Sequence, residues 1–182
     1  MDKAMITKAT STHRRIAGIV LAGGQSSRMG TNKALLPYRG RPLVEHMMEK
    51  LRQAGCADVH ISGEVPGYKG IPDTARFEGP ARAMMGLMGH FRGKYDGYLF
   101  VPVDMPLLAP EALEALLRHE SSAFYEGHPL PAFITSAPAD YDGPSVKGAL
   151  QAAGARAISL PERWEQGMAN INTKEEWETI AS

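Results

Sequence analysis

The sequence of 182 residues has little that would support a disulfide scaffold, a membrane span or a nucleic-acid interface. Its one cysteine, Cys56, excludes an internal disulfide and a zinc site built from several cysteines. The longest early apolar run, residues 16–22, is too short to cross a bilayer. The 20 basic and 20 acidic residues give a formal net charge of zero, which argues against broad binding to nucleic acid or to an anionic membrane. A small anionic ligand bound by a few local cations is compatible with this balance.

What the sequence does contain is the composition of one globular domain. Hydrophobic residues make up 43% and charged residues 22%, which is typical of such domains. The length suffices for one core but not for two ordinary domains. The first fourteen residues are polar and contain no apolar segment before a cleavage site, so we expect a flexible tail over residues 1–14 and not a secretory signal. We expect residues 15–182 to form one domain in the cytoplasm.

Apolar runs alternate with helical patterns along the chain. The strand-like segments are residues 16–22, 58–62 and 98–103 and short runs near Ala123, Phe133 and Ile158. Helical patterns lie at residues 42–54 and 81–91, after Pro110, at 144–153 and after a capping box of Thr173 and Glu176. This alternation predicts an α/β fold with a largely parallel sheet.

The loop after the first strand-like segment reads Leu21-Ala-Gly-Gly-Gln-Ser-Ser-Arg-Met-Gly-Thr-Asn-Lys33. In open parallel sheets, ligands bind outside the carboxyl ends of the strands, where this loop is expected to lie. Gly23 and Gly24 allow backbone amides to approach a phosphate closely, and Arg28 and Lys33 add positive charge. The spacing matches neither a P-loop nor the dinucleotide fingerprint. The loop therefore indicates a polyphosphate site, with a plain strand-to-helix turn as the alternative.

The strand-like segment 98–103 is followed directly by Asp104, within Val101-Pro-Val-Asp-Met-Pro-Leu-Leu108. A carboxylate at this position can bind Mg²⁺ through one or two oxygens. The alternative is an aspartate that caps a helix or stabilises a turn. The strand-end rule selects this position together with the glycine loop, so both are candidates for one ligand site.

The glycine loop as a whole resembles the signature of the nucleotidyltransferases that activate sugars, isoprenoid precursors and the molybdenum cofactor. Its form in that family is L-A-G-G-x-S-x-R-M-G-x-x-K, and every fixed position is present from Leu21 to Lys33. The continuation Ala34-Leu-Leu-Pro-Tyr-Arg-Gly-Arg-Pro-Leu43 is most similar to the molybdenum cofactor guanylyltransferase branch, the MobA-like proteins. The resemblance implies a single three-layer α/β/α domain with a mostly parallel, Rossmann-like sheet, as in nucleotide-diphospho-sugar transferases.

The resemblance also implies roles for individual residues on the nucleotide side. Arg28, Lys33 and Asp104 would be catalytic, and Asp104 would bind Mg²⁺. The residues implied to contact the nucleotide are Leu21, Ala22, Gly23, Gly24, Lys33, Ser62, Asp73, Gly79 and Asp104. The chain departs from the family pattern at Ser62, where relatives commonly have Asn, and in Gly79-Pro-Ala-Arg-Ala83, which replaces G-P-L-A-G.

Two later segments resemble the acceptor half of the molybdenum cofactor enzymes. Gly127-His-Pro-Leu-Pro-Ala132 is similar to the family's H/Q-P-L-P segment, and Asn170-Ile-Asn-Thr-Lys-Glu-Glu-Trp177 to its N-x-N-T-P-E ending. The resemblance implies that His128, Pro129, Asn170 and Asn172 contact molybdopterin. A helix cap at Thr173 would explain the second segment without any ligand.

The activity expected from this resemblance is a Mg²⁺-dependent transfer of GMP from GTP to the terminal phosphate of the molybdenum cofactor, with release of pyrophosphate. The alternatives are a cytidylyltransferase for the same cofactor and a non-catalytic nucleotide-binding domain. Relatives of the cytidylyl kind tend toward A-A-G where this chain has Ala22-Gly23-Gly24, which favours guanine. A protein partner, if there is one, would be a molybdoenzyme or a protein of cofactor biosynthesis. We expect neither nucleic acid nor a membrane as a partner.

Overall fold

The computed structural model describes residues 14–23, 32–72, 79–139 and 141–181. The elements in these ranges are β1 (Ile16–Leu21), β2 (Pro37–Tyr38), β3 (Arg41–Pro42), α1 (Leu43–Gln53), β4 (Asp58–Ser62), β5 (Gly70–Ile71), α2 (Pro80–His90), β6 (Gly97–Pro102), α3 (Pro110–Leu117), β7 (Ala123–Tyr125), β8 (His128–Ile134), α4 (Val146–Ala152), β9 (Arg156–Ile158) and α5 (Lys174–Ala181). Two 3₁₀ turns cover Lys33–Leu35 and Glu162–Met168. No helix in the described ranges has the length and apolarity needed to span a membrane. Most of the predicted tail, residues 1–13, lies outside the described residues, so the domain boundary stays a prediction.

Seven of the strands in the described ranges form one sheet in the order β5-β4-β1-β6-β8-β7-β9. β1 pairs in parallel with both β4 and β6, and the pairs β4–β5 and β7–β9 are also parallel. β8 is antiparallel to its neighbours β6 and β7. The predicted α/β fold with a mostly parallel sheet is therefore confirmed. β2 and β3 form a separate antiparallel hairpin that the sequence pattern did not predict.

Helices cover both faces of this sheet, which makes the domain three layers thick. β1 is apolar at consecutive positions because its alternate side chains enter two different cores. Ile16 and Val20 pack in the core that includes α1, α3 and α5, whereas Ala17 and Ile19 pack in the core that includes α2 and α4. All four side chains are at most 3% exposed, so β1 is buried on both faces as predicted.

The helices that precede the two strands next to β1 lie on opposite faces of the sheet, and this arrangement determines where a ligand can bind. α1 joins β1 to β4 over one face of the sheet, and α2 precedes β6 on the opposite face. Because β4 and β6 flank β1 on opposite sides, the order of strands reverses at this point. Loops diverge at such a switch point and leave a crevice at the carboxyl ends of the strands.

Candidate active site

A cleft of about 260 Å³ opens at the carboxyl ends of β1 and β6. Its lining residues in the described ranges are Leu21, Ala22, Gly23, Lys33, Pro80, Pro102, Val103, Asp104, Leu130 and Asn170. Leu21 and Pro102 are partners in the sheet register, and Val103 N donates a hydrogen bond of 3.1 Å to Leu21 O. The structure therefore places the start of the glycine loop and Asp104 on one cleft, where the strand-end rule predicts a ligand.

Lys33 and Asp104 form an ion pair in this cleft. Lys33 begins a 3₁₀ turn in which Asn32 Oδ1 accepts a hydrogen bond of 3.0 Å from Ala34 N, and the fully buried Ala34 anchors the turn in the core. From this turn Lys33 Nζ reaches Asp104 Oδ2 at 3.0 Å. The two side chains are only 20% and 17% exposed, so solvent screens their attraction less than it would on an open surface.

The same ammonium also contacts the segment that precedes α5. Lys33 Nζ donates to Ile171 O at 2.7 Å and to Asn172 Oδ1 at 3.3 Å. Ile171 N in turn donates to Asp104 O at 2.8 Å. A lysine ammonium has three donors, and these contacts use all three. One side chain thus joins the loop after β1, the end of β6 and the segment predicted to contact the acceptor.

The predicted capping box at the start of α5 is confirmed. Glu176 N donates to Thr173 Oγ1, and Thr173 N donates to Glu176 Oε2, both at 3.1 Å. Glu176 Oε2 also accepts a hydrogen bond of 2.7 Å from Asn172 N. These backbone donors, Asn172 first and Thr173 second, lower the pKa of Glu176 below its usual value. The carboxylate is therefore charged at neutral pH and remains an acceptor.

Gly63 is a residue of the site region that sequence reasoning missed. It follows β4 directly, with a φ of 97°, and a Cβ at this position would lie 2.7 Å from both Cα and N of Gly23. Next to it, Ala22 N donates to Ser62 O at 3.0 Å. The backbone after β1 therefore lies directly against the backbone after β4. The available signal was a glycine placed immediately after a predicted strand.

Replacing Gly63 by alanine should destabilise the protein more than the same change at Gly67. Both residues have a left-handed φ, but nothing lies within 4 Å of a Cβ at Gly67. Gly67→Ala should therefore cost only the conformational strain of about 1–2 kcal/mol, whereas Gly63→Ala should cost about 1–3 kcal/mol more because its Cβ meets the backbone of Gly23. Denaturant unfolding of the two variants gives both free energies of unfolding. Equal losses would mean that Gly63 does not limit the approach of the two loops.

The other predicted site residues are not among those that line the cleft in the described part of the chain. Ser62 ends β4 with a side chain only 1% exposed, and Gly79 precedes Pro80, which lines the cleft. His128 and Pro129 begin β8 and directly precede the cleft residue Leu130. Gly24, Arg28 and Asp73 lie outside the described residues. The roles implied for all of these residues stay predictions.

Other chemistry that the sequence could have supported finds no site in the described part of the chain. Its His, Cys, Asp and Glu residues form no group of three or more that could bind a metal. Cys56 is buried next to Gly18, and burial raises the pKa of its thiol to about 12. A thiol with that pKa is not a nucleophile at neutral pH. Met84 and Met88 lie in the core, and Met85 is partly buried against it.

Comparison with known proteins points to one family. The sequence model of a family described as MobA-like NTP transferase domain matches residues 18–163. The molybdenum cofactor guanylyltransferase of Xanthomonas euvesicatoria pv. vesicatoria is 37% identical over 179 residues, which cover 90% of this chain and 93% of that protein. The protein of the same name from Serratia proteamaculans is 28% identical over 90% of this chain and 93% of its own length.

A solved structure supports the fold independently. Molybdopterin-guanine dinucleotide biosynthesis protein A from Archaeoglobus fulgidus superposes with a TM-score of 0.67 over 91% of this chain and 96% of that one. Its sequence identity to this chain is 18%, so the likeness concerns the fold alone. The superposition covers nine-tenths of this chain, which agrees with a single α/β domain.

Proposed function

This chain belongs to the family of MobA-like NTP transferase domains, and we propose that it transfers GMP from GTP to the terminal phosphate of the molybdenum cofactor with release of pyrophosphate. The observation that carries the proposal is the cleft lined by Gly23 and Asn170, in which Lys33 Nζ lies 3.0 Å from Asp104 Oδ2. Such a cleft offers a cation to phosphate oxygens and a carboxylate to a metal ion. The choice of guanine and of this acceptor is supported by the names of relatives that align over nine-tenths of the chain.

The triphosphate would lie along the end of β1. Gly23 is exposed in the cleft and has no Cβ, so a phosphate can approach its backbone closely. Lys33 supplies the positive charge beside it, on a side chain anchored by a fixed turn. Gly24 and Arg28 belong to the same sequence motif, and we assign them to the same phosphates on that ground.

Two observations support Asp104 as a ligand of Mg²⁺. Its carboxylate lines the cleft, and its Oδ2 already faces a cation, the ammonium of Lys33. Mg²⁺ is usually bound by one or two carboxylates together with phosphate oxygens and water, so a complete protein cage is not needed. When bound, the ion would neutralise negative charge on the reacting phosphates.

In this reaction the protein has to align the two substrates and does not have to form a covalent bond with either of them. An oxygen of the acceptor phosphate attacks the α-phosphorus of GTP, the bond from this phosphorus to the bridging oxygen breaks, and pyrophosphate leaves with the electron pair. The attacking phosphate oxygen is already a nucleophile, so the enzyme has to place it in line and offset charge. Lys33 can serve both substrates because its ammonium contacts Asp104 on one side and Asn172 on the other. Asn170 and Asn172 would orient the acceptor, and His128 and Pro129 would contact its pterin.

The test is pyrophosphate release from the purified protein with Mg²⁺, molybdenum cofactor and each of the four nucleoside triphosphates in turn. We expect release with GTP, and none when the cofactor is omitted. Faster release with CTP would identify a cytidylyltransferase instead. Binding of GTP without any release would identify a non-catalytic nucleotide-binding domain. A parallel series with a chelator tests the dependence on the metal, which the proposal requires.

A further inference from the structure

The peptide group between Ile171 and Asn172 connects Lys33 to the carboxylate of Glu176. Its carbonyl oxygen accepts a hydrogen bond of 2.7 Å from Lys33 Nζ, and its N–H donates one of 2.7 Å to Glu176 Oε2. A trans peptide is planar and its C=O and N–H point in opposite directions. Fixing the N–H therefore also fixes the direction of the oxygen that contacts Lys33.

We propose that Glu176 is a positioning residue, which acts through this peptide to keep the ammonium of Lys33 at the cleft. Glu176 is exposed, and its carboxylate accepts hydrogen bonds from the backbone amides of Asn172 and Thr173. Its consequence for turnover rests on the proposed function, whereas its effect on Lys33 does not. The residue thus has a role that its place in a helix cap does not by itself suggest.

A capping box explains only part of what Glu176 does. In that motif the glutamate accepts from the backbone N–H of the capping residue, which here is Thr173. The bond from Asn172 N comes from the residue before the cap and, at 2.7 Å, is shorter than the 3.1 Å bond from Thr173 N. The additional bond is therefore directed at the segment that contacts Lys33.

The segment needs such a contact because it has no regular structure. Residues 170–172 lie between the 3₁₀ turn Glu162–Met168 and α5, and the bond from Ile171 N to Asp104 O joins them to the segment that follows β6. The amide of Asn172 could rotate away from this position if it lost its acceptor.

The first test needs no substrate. It compares the wild-type full chain with its variants for the rate at which the amine of Lys33 is acetylated, measured by mass spectrometry of the peptide that contains Lys33. Glu176→Ala should raise this rate about fivefold, because the hydrogen bond from Lys33 to the oxygen of Ile171 is weakened. Glu176→Gln retains an oxygen at the position of Oε2 and should stay near the wild-type rate. Thr173→Ala removes the other half of the capping box and should not change the rate.

The second test separates positioning from binding in the proposed reaction. Glu176→Ala should lower kcat about tenfold, because misplacement of an aligning group slows the chemical step, and should change the KM for GTP less than about twofold, since Lys33 keeps its charge in the cleft. Glu176→Gln should restore most of kcat, and Thr173→Ala should retain wild-type kinetics.

Two results would overturn the proposal. One is an unchanged acetylation rate of Lys33 in folded Glu176→Ala, and the other is an equal effect of Thr173→Ala, which would mean that Glu176 acts only on the stability of α5. A circular dichroism melt of each variant establishes that it is folded. If the wild-type protein releases no pyrophosphate, the proposed function fails, while the acetylation series still decides the role of Glu176.

Discussion

Replacing Asp104 by alanine should reduce pyrophosphate release by about 10³-fold or more, since stabilisation of phosphate charge by a bound metal is worth on the order of 4 kcal/mol. The fold should remain, because the backbone oxygen of Asp104, and not its side chain, accepts the bond from Ile171 N. Lys33 loses one of its three acceptors, which should cost about 1 kcal/mol of folding free energy. In a domain of this size that is a fall in Tm of about 2–4 °C.

Asp104→Asn distinguishes a metal ligand from a simple partner for Lys33. The amide keeps an oxygen that can accept from Lys33 Nζ but loses the negative charge that favours Mg²⁺. If Asp104 only orients Lys33, the asparagine variant should recover turnover; if it binds the metal, turnover should stay low. The matched control is Asp142→Ala, because this exposed carboxylate makes no hydrogen bond in the described part of the chain. Normal turnover in Asp104→Ala would remove the residue from the mechanism.

The position of the cleft could be predicted because both of its main parts follow strands that are buried on both faces. Consecutive apolar residues in 16–22 and 98–103 identified β1 and β6, and the carboxyl ends of parallel strands lie at one edge of a sheet. No local sequence pattern shows that β6 is the direct neighbour of β1. The structure shows it, because Leu21 pairs with Pro102 in the sheet. Strand order depends on the packing of α1 and α2 on opposite faces, which is a tertiary effect.

Contacts between irregular segments were beyond prediction from the sequence. Lys33 and Ile171 are 138 positions apart, and neither lies in a periodic pattern that would place one against the other. The hairpin of β2 and β3 has strands of two residues each, too short for an alternating pattern. Its turn uses Arg39 and Gly40, both with positive φ, and only the glycine is a recognisable signal. The acceptor motif of His128 and Pro129 was found by resemblance, but its place at the start of β8 required the structure.

Replacing Lys33 by methionine should weaken binding of GTP with Mg²⁺ by about 10- to 100-fold, because a hydrogen bond from a charged donor is worth about 1.5–3 kcal/mol. Methionine retains most of the apolar stem, so the change tests the charge and not the packing. Isothermal titration without the acceptor measures the affinity directly. Lys147→Met is the control, since this exposed lysine on α4 makes no hydrogen bond or ion pair in the described part of the chain. An unchanged affinity in Lys33→Met would contradict the assignment of Lys33 to the triphosphate.

The same variant has a second consequence in the free protein, which separates binding from folding. Without the ammonium, Asp104 Oδ2 and Ile171 O lose their donor in a site where Asp104 is only 17% exposed, which should destabilise the fold by about 1–3 kcal/mol. Adding Asp104→Ala to Lys33→Met removes the unpaired carboxylate, so the loss in the double variant should be smaller than the sum of the two single losses. Additive losses would show that the two side chains do not interact in the free protein. Non-additive losses together with weakened GTP binding would mean that Lys33 interacts with Asp104 in the free protein and also contributes to binding of the triphosphate.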